Sequence, residues 1–174
     1  GGGVRGGAVA RDLAKMLKRK DGLGGVITQG VASLFWKWKV DHVRGTGRLM
    51  GPGRVAVAGP GGESELACKH VILATGSVPA SLPGIAWDGE RIGTSTEGLA
   101  YGSVPEHLVV IGAGAIGLEI GSVWRRLGAR VTVLEYLDRI LPGMDLELAK
   151  AAQKSLAPGL VRFTLSGREL SLEP

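Results

Sequence analysis

The stretch LVVIGAGAIGLEIGSVWRRLGARVTVLE, Leu108 to Glu135, decides the fold. Four apolar residues, Leu108 to Ile111, pass at once into Gly112, Gly114 and Gly117 in G-x-G-x-x-G spacing. Beyond the glycines, Ile116, Ile120, Val123 and Leu127 recur at helical intervals as one apolar stripe. Gly128 stands where a helix takes its C′ glycine, and Arg130 to Leu134 reads as a second, β-branched strand. Strand, glycine turn, helix and strand in that order make a βαβ unit of a parallel sheet. Glu135 closes the unit eighteen positions after Gly117.

Each position has its own physical reason. Gly112 lets the backbone leave the strand in a tight turn, Gly114 removes a side chain that would collide with a pyrophosphate, and Gly117 lets the helix lie close on the strands. The helix N-terminus, with unpaired N–H groups and about half a unit of positive partial charge, favours phosphates without a basic side chain. Glu135 accepts hydrogen bonds from a ribose diol and repels a 2′-phosphate, so the expected dinucleotide is NAD rather than NADP. Arg139, four residues on, is a cation that works against this preference. The competing reading is a glycine-rich turn that packs a helix on a sheet and binds nothing; the complete frame ending in Glu135 favours the binding site.

Upstream, Leu13, Met16 and Leu17 fall at helical spacing, so Ala8 to Lys20 reads as a short amphipathic helix that Asp21-Gly22 stops. Ile27, Val31, Leu34 and Phe35 begin a second helical pattern that runs into WKWK and Val40; Trp36 and Trp38 there read as partly buried packing residues. The period then changes. Apolar runs at Arg54 to Ala58 and Leu66 to Leu73, separated by GPG and GPGG, read as a β-meander whose last strand, Lys69 to Ala74, leads into ATGS. Val78 to Gly84, with Pro79 and Pro83, is a linker or crossover.

Composition narrows the function classes. At 174 residues the chain is the size of one ordinary domain, with 44% hydrophobic and 21% charged residues and no apolar run long enough for a bilayer. The net charge of +5 is uneven: residues 1–60 carry +8 and the remainder −3. Because the basic residues are dispersed through amphipathic helices, they read as solvated faces rather than as a nucleic-acid surface. Cys68 is the single cysteine, which excludes a disulfide framework and an intramolecular dithiol pair; lying in a predicted strand, it reads as a small buried core residue. His42, His70 and His107 are scattered, and Cys68 with His70 offers at most two ligands, so no metal site is expected.

With these motifs in place, the chain resembles the FAD-dependent pyridine nucleotide-disulphide oxidoreductase family, and within it the lipoamide dehydrogenases, from about Asp12 to Leu165. FWKWKV followed by HVRGTGR, the meander, HVILATGS, the PGI of Pro83 to Ile85, the glycine turn with GSVWRRLGA, and LDRILPGMDLELAK occur in the same order in that family. The resemblance implies an α/β, Rossmann-like FAD/NAD(P)-binding fold, partial, with a β-meander insertion. Residues 1–104 would form the later part of an FAD-binding domain, and 105–174 the first βαβ unit and following helix of an NAD-binding domain. It also implies the cofactors FAD and NAD. Gly47, Thr75, Gly76 and Ser77 match FAD-contacting positions. Gly112, Ala113, Gly114, Ala115, Ile116, Gly117, Leu118, Glu119 and Glu135 match the NAD site.

The family places Ile116 and Glu119 near the nicotinamide and flavin, although Glu119 read by itself is a favourable acid near a helix start. Family members also carry an earlier FAD fingerprint, a redox cysteine pair and an interface domain with a His-Glu pair. None has a counterpart in these residues, so the expectation is a portion of a dihydrolipoamide-oxidising enzyme, with no catalytic residue of its own and doubtful turnover alone. A noncatalytic nucleotide- or protein-binding remnant is the alternative. By resemblance the partner is a lipoamide-bearing 2-oxo acid dehydrogenase complex, the assembly a homodimer, and the compartment the mitochondrial matrix or bacterial cytoplasm.

Overall fold

The computed structural model describes residues 11–156 and 162–165. In chain order the elements are α1 (Leu13–Lys37), β1 (Thr46–Gly51), β2 (Arg54–Gly59), β3 (Gly62–Ala67), α2 (Ser95–Gly98), β4 (His107–Ile111), α3 (Ala115–Leu127), β5 (Arg130–Glu135), α4 (Leu146–Leu156) and β6 (Arg162–Leu165). Residues 18–78 form one compact unit; the described residues before and after them form another.

α1 corrects the expected pair of helices. Asp12 starts it, its Oδ1 accepting the Lys15 N–H at 2.9 Å, and the helix continues through Asp21-Gly22 to Lys37. A single glycine costs a helix interior about 1 kcal/mol, which is a weak stop when hydrogen bonding continues on both sides. The end is set at Lys39, left-handed at φ +53, where the Val40 N–H reaches the Phe35 carbonyl at 2.9 Å. The part of the expectation covering Ala8 to Ala10 lies outside the described residues. α1 buries none of its residues, and Trp36 and Trp38 are 86% and 69% exposed rather than packed. No helix among the described residues is long and apolar enough to cross a membrane.

The meander is antiparallel in the order β1-β2-β3. Pro52 presets the first turn and Gly53, at φ +74, supplies the left-handed residue that follows it. Arg54 and Glu65 tie β2 to β3 through a forked pair, Nε to Oε1 at 2.6 Å and Nη2 to Oε2 at 2.8 Å. The strands differ from expectation at both ends, β1 lying ahead of the expected first run at Arg54. β3 is Gly62–Ala67, and Lys69 to Ala74 joins no ladder among the described residues, with Ile72 and Leu73 90% and 71% exposed. An extended segment becomes a strand only by pairing, and no described neighbour pairs with it. Cys68 accordingly lies just past β3 and is half-buried, not a core residue of a strand.

The second unit carries the βαβ frame as expected. β4 and β5 are parallel in register from His107↔Arg130 to Ile111↔Leu134, and β6 adds on the far side of β5. Gly128 closes α3 at φ +119. The helix is rotated from the expected stripe, however. Leu118, Gly121, Ser122 and Trp124 are its buried residues, while Ile116 and Val123 are 62% and 51% exposed; Ile120 and Leu127 lie half-buried at the margin. The face is chosen by what is missing: a Cβ on Gly121 would stand 3.3 Å from Val131 Cγ1 and 3.6 Å from Val110 Cγ2, so the smallest residues mark the strand-facing side. Val133 and Ile140 are fully buried beside Ala113 and Trp124, each such aliphatic side chain contributing about 1.5–3 kcal/mol.

A short helix, α2, docks on α3. Thr94 and Glu97 form a capping box, and the Trp124 indole donates to the Gly98 carbonyl at 2.8 Å. The Thr94 hydroxyl and N–H hold the Glu97 carboxyl below its ordinary range, and the Arg54 guanidinium does the same for Glu65.

Two outcomes follow from these contacts. Gly25→Ala, at a helical position where a Cβ meets nothing within 4 Å, is expected to raise stability by about 0.5–1 kcal/mol, read from the helical signal during urea unfolding. Because the folded carboxyls of Glu65 and Glu97 titrate below their unfolded values, their stabilisation is complete above the ordinary Glu range of about 4.3 and is lost as pH falls through the depressed folded values. Urea midpoints measured between pH 6 and about 3 should therefore decline less steeply in the Glu65→Gln, Glu97→Gln double variant.

Candidate functional site

Three glycines shape the turn between β4 and α3, each differently. Gly112 takes φ +102, a conformation closed to most side chains, and its N–H is held by the Leu134 carbonyl at 2.8 Å. A Cβ on Gly112 or Gly114 would stand in open space, whereas one on Gly117 would run into the Gly112 carbonyl and lie 3.0 Å from Val110 Cγ1. Gly117 thus serves the packing of the helix, whereas no described atom lies within 4 Å of where a Cβ on Gly114 would stand. Gly114 is also the N-cap of α3 and offers no side-chain cap, so the first N–H groups of the helix are not taken up by a capping side chain.

Glu135 reaches this turn from the end of β5. Its Oε2 accepts the Ala113 N–H at 2.7 Å and its Oε1 the Leu137 N–H at 3.0 Å. A carboxylate has about four acceptor sites, so two backbone donors leave capacity for a ribose hydroxyl. The remaining expected positions divide by side. Ala113 and Leu118 are buried in the core beneath the turn, while Ala115, Ile116 and Glu119 are exposed on the first turns of α3. Glu119 falls just beyond the first helical turn, which contains no acid, so its charge lies in the first turns of α3 without reaching the outermost one. Arg139 donates to the Pro142 carbonyl.

The residues matched to FAD are more dispersed. Gly47 lies in β1, and Thr75, Gly76 and Ser77 lie in the exposed segment beyond β3. Gly76 turns that segment at φ +80, with open space where a Cβ would stand, a bend that a flat cofactor edge can approach. A contributor that the sequence reading missed is Leu141, whose N–H donates to the Ala113 carbonyl at 2.9 Å. A main-chain donor leaves no trace in residue type. The capping box of Thr94 and Glu97 was also missed, although its T-x-x-E spacing was there to be read.

The family model described as pyridine nucleotide-disulphide oxidoreductase matches residues 4–166. The chain is 54% identical over 158 residues to dihydrolipoyl dehydrogenase 3 of Pseudomonas aeruginosa, covering 90% of this chain and 34% of that one. It is 44% identical over 172 residues to mitochondrial dihydrolipoyl dehydrogenase 1 of Arabidopsis thaliana, covering 98% and 34%. Among solved structures, LpdA from Mycobacterium tuberculosis superposes with a TM-score of 0.78 at 29% identity, over 92% of this chain and 36% of that one. The chain thus spans about a third of the length of the relatives it matches.

The unequal duties of the glycines are separable by mutation. Gly117→Ala forces backbone apart and should cost about 1–3 kcal/mol of stability by thermal unfolding. Gly114→Ala should leave the melting temperature within about 2 °C of the parent yet weaken dinucleotide binding about tenfold or more, measured by titration calorimetry.

Proposed function

The chain belongs to the pyridine nucleotide-disulphide oxidoreductase family, and from that premise we propose that it is the central portion of a dihydrolipoyl dehydrogenase, supplying the NAD site and part of the wall around FAD. One observation carries the reading: the open space over Gly114, bounded by a helix start on one side and the Glu135 carboxylate on the other. Free backbone donors at a helix start and one carboxylate beside them are the groups a dinucleotide uses. Gly112 and Gly114 let the pyrophosphate approach the backbone, the uncapped N–H groups of α3 receive its charge, and Glu135 receives the adenosine ribose and disfavours a 2′-phosphate. Ala113 and Leu118 hold the turn from beneath. Ala115, Ile116 and Glu119 face the nicotinamide end, and Gly47, Thr75, Gly76 and Ser77 border the flavin nucleotide.

In this proposal residues up to about 104 belong to an FAD-binding domain and those from about 105 to an NAD-binding domain. FAD, when bound, carries reducing equivalents from a thiol pair to the nicotinamide. These residues contain one cysteine, so their own part is to bind and orient rather than to perform the dithiol exchange. The names of the relatives support dihydrolipoamide as the substrate of the complete enzyme, and the family resemblance supports a 2-oxo acid dehydrogenase complex as its bearer. They include a mitochondrial and a bacterial protein, which supports the matrix or the bacterial cytoplasm as its compartment.

The test is binding without turnover. Millimolar NADH should shift the amide resonances of Gly112 to Glu119, with NADPH weaker, and the Glu135→Gln variant should bind NADH about tenfold less tightly while losing the preference over NADPH. Absence of any response to NADH would overturn the reading.

A further inference from the structure

Ala113 sits between the first two glycines of the turn, and both of its main-chain polar groups are engaged. Its N–H donates to Glu135 Oε2 at 2.7 Å, and its carbonyl accepts the Leu141 N–H at 2.9 Å. The other oxygen of Glu135 takes the Leu137 N–H at 3.0 Å. The segment from Leu137 to Leu141 is therefore tied at both ends to the same turn, one tie passing through a carboxylate and the other through an amide. Between them Ile140 is fully buried and anchors the segment in the core beside Ala113.

Leu141 holds its tie in a costly conformation. It is left-handed at φ +48, unusual for a leucine, and it precedes Pro142, which ordinarily pushes the residue before it into an extended conformation. Such a residue persists where its surroundings over-determine it. Here they do: Ile140 is buried, the Arg139 guanidinium donates to the Pro142 carbonyl, and the Met144 N–H donates to the Leu141 carbonyl at 2.9 Å.

We propose that the Leu141 amide is a positioning group for dinucleotide binding, a role that rests on the NAD reading above. The reason is peptide planarity. In a trans peptide the carbonyl of one residue and the N–H of the next point in opposite directions. Drawing the Ala113 carbonyl toward Leu141 therefore turns the Gly114 N–H away from Leu141, at a residue where a Cβ would meet nothing within 4 Å. Leu141 never touches the ligand. It fixes the direction of a donor that does, so the turn is aimed at the pyrophosphate before the ligand arrives, and less ordering is needed on binding.

An amide-to-ester replacement between Ile140 and Leu141 in the full chain removes this donor and keeps every side chain. The expected result is NADH binding weakened about fivefold, with binding of adenosine, which lacks the pyrophosphate, changed by less than about twofold. Equal weakening of both ligands would show a merely structural role, and unchanged NADH binding would show none; either overturns the proposal. In the unmodified chain, saturating NADH should slow hydrogen exchange of the Leu141 amide about fivefold where adenosine does not, and an exchange rate indifferent to NADH would also overturn it. Failure of the unmodified chain to bind NADH at all is a different result, which removes the NAD reading itself and this role with it.

Discussion

The approach of α3 to β4 and β5 at two side-chain-free positions is the constraint from which the rest of the second unit follows. A Cβ on Gly117 would run into the Gly112 backbone carbonyl and force the helix from the sheet, and one on Gly121 would press on Val131 beside Val110. With the helix seated, its N-terminus comes to rest over the end of β4, and Trp124 reaches the Gly98 carbonyl to seat α2. In the proposed reading packing and binding geometry are thus one arrangement: the contact that closes the core also points the helix start at the open space over Gly114.

The proposed site relies on backbone rather than side-chain charge. The excess of basic residues lies in the first sixty positions, while the turn is formed by glycine, alanine and one carboxylate. Main-chain donors are fixed by the fold and lose no rotamer freedom when a ligand arrives, whereas a lysine or arginine loses up to about 2 kcal/mol of side-chain entropy. What keeps such donors in place is a second layer of hydrogen bonds, here the Glu135 carboxylate and the segment that returns from it to Ala113.

The βαβ frame was legible because its signals agree: a strand run, glycines at fixed spacing, a C′ glycine and a terminal acid each point to the same arrangement. The helix face was not. Ile116, Ile120, Val123 and Leu127 make the more apolar stripe, but Gly117 and Gly121 make the one that meets the strands, and a hydrophobic pattern is blind to a contact made by the absence of atoms. α1 was divided in two because Asp21-Gly22 looks like an end; hydrogen bonding carries the helix through it. Lys69 to Ala74 has strand composition, but pairing depends on a neighbour that its own residues do not specify. Leu141 enters the site through its amide alone, so no choice of side chain could have announced it.

The four tryptophans are distributed so that light emission reports the two units unequally. Trp36 and Trp38 stand in water in the unit of residues 18–78, Trp87 is 44% exposed, and Trp124 is 3% exposed. Indoles in water already emit at the long-wavelength limit that unfolding produces, so those of the first unit contribute a nearly constant background. The blue component belongs to Trp124, whose ring is enclosed by the core and whose N–H is bonded to a carbonyl. The wavelength shift of the intact chain is therefore a gauge of the unit that holds Trp87 and Trp124, weighted to whether α3 remains seated on its sheet.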